Sequence, residues 1–128
     1  MVKAYAALNA GEDLKSYKYE AKNLNANEVR INVESCGICH SDISAIDNAW
    51  GKSEYPLVAG HEVIGIIIEI GSDVSLHKIG DRVGLGWHSG YCNTCEYCES
   101  DDHNFCGKTN KQFLVNMVVL QKKLPRTK

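Results

Sequence analysis

The 128-residue sequence lacks the features of several protein classes. Its longest apolar run, VIGIIIEIG at residues 63–71, is far shorter than the roughly 20 residues that a membrane-spanning helix needs. The first twenty residues carry charges and no apolar run, which argues against a secretory signal peptide. A net charge of −2 gives no reason to expect binding to nucleic acid or to a membrane surface. We therefore expect a cytoplasmic protein of about one domain.

Several sequence signals are also missing. There is no internal repeat, no low-complexity linker and no G-x-G-x-x-G fingerprint of a dinucleotide-binding turn. Acidic residues are absent from residues 107–128, which carry six basic residues. The first 106 residues hold the other 8 basic residues (14 − 6) and all 16 acidic ones. The 44% of hydrophobic and 23% of charged residues are ordinary for a globular protein.

The sequence does contain many short strand patterns. Residues 28–36, EVRINVESC, alternate the apolar Val29, Ile31 and Val33 with polar residues, which is the pattern of a half-buried strand. Further strand patterns lie at residues 4–8, 14–20, 62–71 and 80–87. Many short strands with few helices predict a mainly β fold in which the strands form a closed or partly closed barrel.

One short early helix is predicted at residues 41–50, SDISAIDNAW. Ser41 or Asp42 is expected as its N-cap, because the side-chain oxygens of these residue types accept hydrogen bonds from free backbone N–H groups of the first turn. Elsewhere in the sequence the strand patterns dominate.

Four of the six cysteines form a compact motif with the spacing C-x2-C-x2-C-x7-C, namely Cys92, Cys95, Cys98 and Cys106. In a cytosolic protein, cysteines at such spacing more often bind a metal than form disulfides. Four thiolates fill the tetrahedral shell of zinc and leave no open position, so the motif predicts a structural zinc site. An iron–sulfur cluster or free thiols are the alternatives, although the x3-C-P continuation of ferredoxin motifs is missing.

A second group of metal-ligating residues lies upstream, in CGICHSD at residues 36–42 and GHE at residues 60–62. Cys39 and His61 provide half of a catalytic zinc site, and a neighbouring acid can be a third ligand or a partner of a ligand. A zinc ion with an open side polarises an alcohol oxygen, and the Ser41 hydroxyl could pass the proton outward. A plain alternative is that His61 is an ordinary buried histidine.

These motifs, in this order and at these separations, resemble the zinc-dependent medium-chain alcohol dehydrogenases, with the cinnamyl-alcohol-dehydrogenase-like branch the nearest. The match runs through GHEVIGIIIEIGSDV at residues 60–74 and covers roughly residues 1–106. It implies a GroES-like, partly closed barrel with a short helix and a zinc-bound structural lobe. In this family that barrel is the catalytic domain.

The resemblance also implies roles for individual residues. The catalytic zinc would be bound by Cys39 and His61, with Glu62 as the acid beside them that can move onto the metal. The structural zinc would be bound by the cysteines of the lobe, Cys92, Cys95, Cys98 and Cys106. NAD or NADP is the implied cofactor, and a small alcohol or aldehyde is the implied substrate.

Three residues next to the first zinc ligand also match the family pattern. Ser41 corresponds to the proton-relay hydroxyl, and Asp42 to the carboxylate that supports the ligands. His40 corresponds to a position that contacts the cofactor phosphate or extends the proton relay.

The sequence departs from the family pattern after the lobe. The family's third protein ligand is a downstream cysteine, but no cysteine follows Cys106. The nicotinamide-binding Rossmann domain, with its Gly-rich turn, should come next and is absent from the sequence. We therefore expect a truncated chain that is inactive alone, with an exposed cleft face through which it could self-associate.

The expected domain organisation is a catalytic domain at residues 1–106 and a divergent basic tail at residues 107–128. A slip of the reading frame near residues 108–112 would explain the tail. Read from the third base of each codon, NMVVLQKKL at residues 116–124 can encode HGGFAEKV, which is similar to a run in this branch of the family. The tail is expected to be disordered or to add a strand at residues 112–121.

Two functions follow from these expectations. The first is the catalytic domain of a zinc- and NAD(P)-dependent alcohol dehydrogenase. The second is a stand-alone zinc-binding β module, or a remnant of an enzyme, without catalysis.

Overall fold

The computed structural model describes residues 1–108, 110–111 and 118–120. This part of the chain forms eight strands: β1 Val2–Ala6, β2 Lys15–Tyr19, β3 Glu28–Cys36, β4 Val63–Ile70, β5 Arg82–Leu85, β6 His88–Gly90, β7 Asn110–Lys111 and β8 Val118–Leu120. Its helices are α1 His40–Ile46, the single turn α2 Glu96–Glu99 and a 3₁₀ turn at His103–Phe105. The fold is therefore mainly β, as the short alternating patterns predict.

The largest sheet has the strand order β5-β4-β3-β8, and all neighbouring strands in it are antiparallel. One face of this sheet carries the core, which consists of the buried side chains Val29, Ile31, Val63, Ile67 and Leu85. Each buried aliphatic side chain of this size contributes roughly 1.5–3 kcal/mol relative to leaving it in water. The alternation predicted for residues 28–36 is confirmed, because Val29 and Ile31 are buried and the polar Asn32 and Glu34 are exposed.

The pairing of β3 with β4 brings together the two sequence motifs at residues 36–42 and 60–62. Cys36, the last residue of β3, lies opposite Val63, the first residue of β4. The register shifts twice along the pair, which marks β-bulges that bend and twist the strands. At Gly65 a Cβ atom would lie 2.5 Å from Cγ2 of Ile31, so only glycine lets these strands approach so closely. The segments that follow β3 and precede β4 are consequently neighbours.

Helix α1 begins earlier than the sequence pattern predicts. Its N-cap is Cys39, with extended backbone angles of φ −126° and ψ 173°, so the expectation of Ser41 or Asp42 as N-cap is wrong. Asp42 is instead the third helical residue, and its carboxylate oxygen Oδ2 accepts a hydrogen bond from the backbone N–H of Cys39 at 2.9 Å. This is the acidic half of a capping box, in which a residue of the first turn reaches back to the N-cap.

The other strands form two small sheets, β1 with β2 and β6 with β7. In the predicted tail, Val118–Leu120 pairs with Glu28–Arg30 of β3, whereas residues 112–117 and 121 lie outside the described residues. The boundary at residue 106 and the slipped reading frame stay predictions. Within the described ranges, no helix is both long and apolar enough to cross a membrane.

Candidate metal centres

The four-cysteine motif folds into one cluster. Cys92 follows β6, Cys95 is the N-cap of α2, Cys98 lies in α2 and Cys106 ends the 3₁₀ turn. The two short turns and the loop between them bring all four Sγ atoms within 4.8 Å of one another. All four thiols are free of disulfides.

The spacing of these sulfurs fits a tetrahedral zinc ion. Four sulfurs at about 2.3 Å from zinc lie about 3.8 Å from one another. The Sγ of Cys92 lies 3.9 Å from that of Cys98 and 3.6 Å from that of Cys106. The residues present therefore suit a closed four-thiolate site, which leaves no position for water or substrate.

The thiols of this cluster differ in acidity. Hydrogen bonds from the backbone and then the side chain of Thr94 lower the pKa of Cys92 to about 5. Burial, followed by the hydrogen bond with Cys95, raises the pKa of Cys98 to about 12. At neutral pH the metal-free cluster is thus partly ionised, and a cation that binds all four sulfurs must displace the remaining protons.

Aromatic side chains support the lobe around the cluster. The ring of His103 stacks on Tyr91 with centroids 4.8 Å apart, and Tyr97 packs on Phe105 at 5.8 Å. His103 is buried, and neither of its ring nitrogens has a hydrogen-bond partner in the described part of the chain. The sequence reasoning missed His103, because nothing in its spacing separates it from a surface residue.

A second group of donor atoms lies between the end of β3 and the start of β4. The Sγ of Cys39 lies 3.2 Å from Nε2 of His61, and Nδ1 of the same ring lies 3.0 Å from Oδ1 of Asp42. Because the carboxylate accepts a hydrogen bond from the Nδ1–H group, Nε2 carries the lone pair of the ring, and it points toward the cysteine. His61 and Asp42 are buried and Cys39 is half-buried.

This arrangement suits a cation held between Cys39 and His61. With bonds of about 2.3 Å to sulfur and 2.0 Å to nitrogen, a tetrahedral zinc ion separates the two donors by about 3.5 Å, close to the separation observed. Both carboxylate oxygens of Asp42 accept hydrogen bonds, one from His61 and one from the backbone N–H of Cys39. Its position is that of a group that orients the ligands.

The structure brings Cys39, Asp42 and His61 together. His40 is the exposed first residue of α1, and Ser41 follows it half-buried. Glu62 is exposed and lies outside the group of donors that are all within 4.8 Å.

The family resemblance implies that Trp50 and Trp87 lie near the substrate pocket, with ordinary packing aromatics as the alternative, and the indole of Trp87 contacts the site. It meets the ring of His61 edge-on, with centroids 4.8 Å apart and an interplanar angle of 84°. Trp50 in turn packs edge-on against Trp87 at 6.2 Å. The two tryptophans therefore form an aromatic wall beside the Cys39–His61 pair.

Fold and donor groups together define a mainly β domain with two candidate cation sites, one closed and one open. The family model of the alcohol dehydrogenase GroES-like domain matches residues 25–121. The chain therefore belongs to the alcohol dehydrogenase GroES-like domain family.

Individual relatives agree with this assignment. The chain is 56% identical over 106 residues to aldehyde reductase AdhA of Synechocystis sp.. The matched region covers 83% of this chain and 32% of that protein. It is 45% identical over 104 residues to a probable cinnamyl alcohol dehydrogenase of Eucalyptus gunnii, covering 81% of this chain and 29% of the relative. The chain thus spans about a third of the length of the curated relatives it matches.

Solved structures show the same fold. A cinnamyl alcohol dehydrogenase from Sorghum bicolor superposes with a TM-score of 0.83 at 33% identity, covering 93% of this chain and 38% of that one. CAD from Helicobacter pylori, complexed with NADP(H), gives a TM-score of 0.80 at 35% identity, covering 85% of this chain and 31% of that one. The expected GroES-like fold is confirmed.

Proposed function

We propose that this chain is the N-terminal catalytic domain of a zinc- and NAD(P)-dependent alcohol dehydrogenase that interconverts primary alcohols and aldehydes. The observation that carries the proposal is the line of contacts from Asp42 through His61 to Cys39. The names of the relatives, aldehyde reductase and cinnamyl alcohol dehydrogenase, support the substrate class.

The residues of the open site have distinct tasks under this proposal. Asp42 keeps the proton of His61 on Nδ1, so that Nε2 and the Cys39 thiolate present two donor atoms to one point. Glu62, the neighbour of His61, is the candidate for an additional oxygen donor. A zinc ion bound here supplies Lewis-acid polarisation of an alcohol or aldehyde oxygen.

Proton transfer is assigned to the first residues of α1. The Ser41 hydroxyl can accept a proton from a substrate oxygen and donate its own onward, and the exposed His40 imidazole can release a proton to water. His40 is also the candidate for contact with the phosphate of NAD or NADP, the cofactor that supplies hydride chemistry when bound. Under this proposal, these two adjacent side chains would connect the substrate oxygen to solvent.

The four-thiol cluster has a structural task in this proposal. Its donor set is complete, and the surrounding sequence between Tyr91 and Phe105 offers few apolar side chains for a core. A zinc ion held by four thiolates would replace the missing hydrophobic stabilisation. The cluster is therefore expected to be needed for folding of the lobe and to take no part in the reaction.

A chimera tests the proposed function. Residues 1–106 of this chain would be joined to the remaining part of the Synechocystis aldehyde reductase, which is 56% identical in the matched region. We expect two zinc ions per chain and reduction of aldehydes with NADPH or NADH, and we expect Cys39→Ser to remove one zinc and the activity. A folded chimera that binds two zinc ions without turnover would favour the alternative, a zinc-binding module without catalysis.

A further inference from the structure

Helix α1 carries residues of the open site at its start and is anchored at its other end by residues outside the helix. The helix has only seven residues, His40–Ile46. Helices shorter than about 12–15 residues are marginally stable in water on their own, so contacts with the rest of the protein must hold α1 in place. These contacts therefore determine the position of every group that α1 carries.

The last four carbonyl groups of α1 all accept hydrogen bonds, although such groups find no partner inside a helix. The carbonyl oxygens of Ile43 and Ser44 accept backbone N–H groups from residues that closely follow the helix. Those of Ala45 and Ile46 accept additional hydrogen bonds from residues farther along the chain. The end of α1 is thus attached to other segments of the domain.

Two hydroxyl groups from residues 53–55 provide most of this attachment. The Ser53 hydroxyl donates to the carbonyl oxygen of Ala45 at 2.6 Å, and the Tyr55 hydroxyl donates to that of Ile46 at 2.6 Å. The backbone N–H of Gly11 donates to the same Ile46 oxygen at 3.0 Å. Ser53 and Tyr55 are half-buried, where water competes less for their hydrogen bonds.

The segment that carries Tyr55 leads directly to the histidine of the open site, His61. Leu57 and Val58 lie between these two residues and are buried. Leu57 and Ala7 also exchange two backbone hydrogen bonds, at 2.9 and 2.8 Å. The segment is therefore fixed to the core, and it can serve as the support on which α1 is placed.

We propose that Tyr55 is a positioning residue whose hydroxyl docks α1 on the segment that carries His61 and thereby sets the spacing of the Cys39–His61 pair. This inference rests on the proposed function, in which the pair binds a divalent cation. The two segments are connected at both ends of α1, because Asp42 bonds to His61 at 3.0 Å near the start and Tyr55 bonds to the last residue. The two connections together fix the helix that directly follows Cys39.

Tyr55→Phe removes the hydroxyl and keeps the ring. The end of α1 then loses one of the hydrogen bonds that hold it, and the cysteine at its start is placed less firmly relative to His61. The net contribution of one such hydrogen bond corresponds to about a fivefold change in an equilibrium constant. We therefore expect Tyr55→Phe to weaken cation binding at the pair about fivefold.

Cobalt(II) titration of the purified chain tests this expectation. The four-thiol cluster is first filled with one equivalent of zinc, and the cobalt signal of the open site is taken as the difference from Cys39→Ser. Tyr17→Phe is the matched control, because Tyr17 is also half-buried and lies in β2, away from α1 in the chain. Amide hydrogen exchange of Asp47 and Asn48, whose N–H groups bond to carbonyl oxygens of α1, should become faster in Tyr55→Phe alone.

A comparison of the two metal sites separates positioning from a general loss of stability. In the Cys39→Ser background, Co²⁺ bound at the four-thiol cluster of the zinc-free chain should be held equally well with and without Tyr55→Phe. Equal affinities of Tyr55→Phe and Tyr17→Phe at the open site, or an equal loss at both metal sites, would overturn the role of Tyr55 while leaving the proposed function intact. Absence of any cobalt signal that depends on Cys39 would overturn both.

Discussion

At the scale of single residues, Asp42 connects both halves of the open site. One oxygen accepts a hydrogen bond from the backbone N–H of Cys39 at 2.9 Å, and the other accepts one from His61 at 3.0 Å. The same carboxylate therefore caps α1, fixes the ring of His61 and sets the backbone of the cysteine. A change at this position should affect metal affinity and helix stability together.

We expect Asp42→Asn to weaken cation binding at Cys39 and His61 about 10–100-fold, because an amide holds the histidine tautomer less firmly than a carboxylate. Loss of the charged cap should also lower the stability by about 1 kcal/mol. Co²⁺ titration and thermal unfolding measure the two effects. Asp47→Asn, at the exposed C-cap of the same helix, is the control, and the prediction fails if both variants bind Co²⁺ alike.

How far the sequence predicts the site depends on the kind of contact. The spacing of the four lobe cysteines predicts which of their thiols meet, because metal ligands recur at fixed intervals. The assignment of Cys39 and His61 to one site rested on the family resemblance. The close approach of the Glu62 side chain to Gly37 was not predicted, because it depends on the register of β3 against β4. The packing of Trp87 on His61 likewise depends on how distant segments cross.

At the scale of elements, the lobe around α2 contains four neighbouring thiols that differ in acidity. The pKa of Cys92 is lowered from 9.0 to about 5, chiefly by the backbone hydrogen bond from Thr94. A depressed pKa means that the folded state favours the thiolate. The resulting stabilisation is fully present above about pH 9 and is lost as the pH falls through about 5.

The metal-free chain should therefore become more stable as the pH rises from 5 to 9. Thermal unfolding with a chelator and a reducing agent, followed by circular dichroism, measures this dependence. Cys92→Ser should flatten the rise, since it removes the group that titrates. An unchanged slope in Cys92→Ser would show that the pH dependence comes from other groups.

The elements themselves were predicted to different degrees. The alternation in residues 28–36 predicted β3 because a half-buried strand leaves a period of two in the sequence. The start of α1 was predicted too late, because Cys39 is not a usual N-cap residue and Asp42 reaches back to cap it from inside the helix. The local sequence pattern therefore predicted that α1 is a helix, whereas the contact between Asp42 and Cys39 determines the residue at which it begins.

At the scale of the whole molecule, apolar side chains remain exposed around the open site. Ile38, next to Cys39, is 86% exposed, and Trp50, which packs on Trp87 beside His61, is 46% exposed. Exposed apolar side chains beside a site are candidates for contact with another protein surface. We propose that a second copy of the chain covers this face when the isolated chain is concentrated.

Ile38→Asp should therefore weaken self-association of the isolated chain. A charge placed in a buried apolar contact must lose its hydration, and we expect the dimer dissociation constant to rise at least tenfold, on the order of the 1.4 kcal/mol that corresponds to this factor. Sedimentation velocity over a range of concentrations measures it. Ile79→Asp, at an isoleucine 62% exposed in the loop before β5, controls for the added charge. If both variants associate as the original chain does, the face around Ile38 is not the contact between copies.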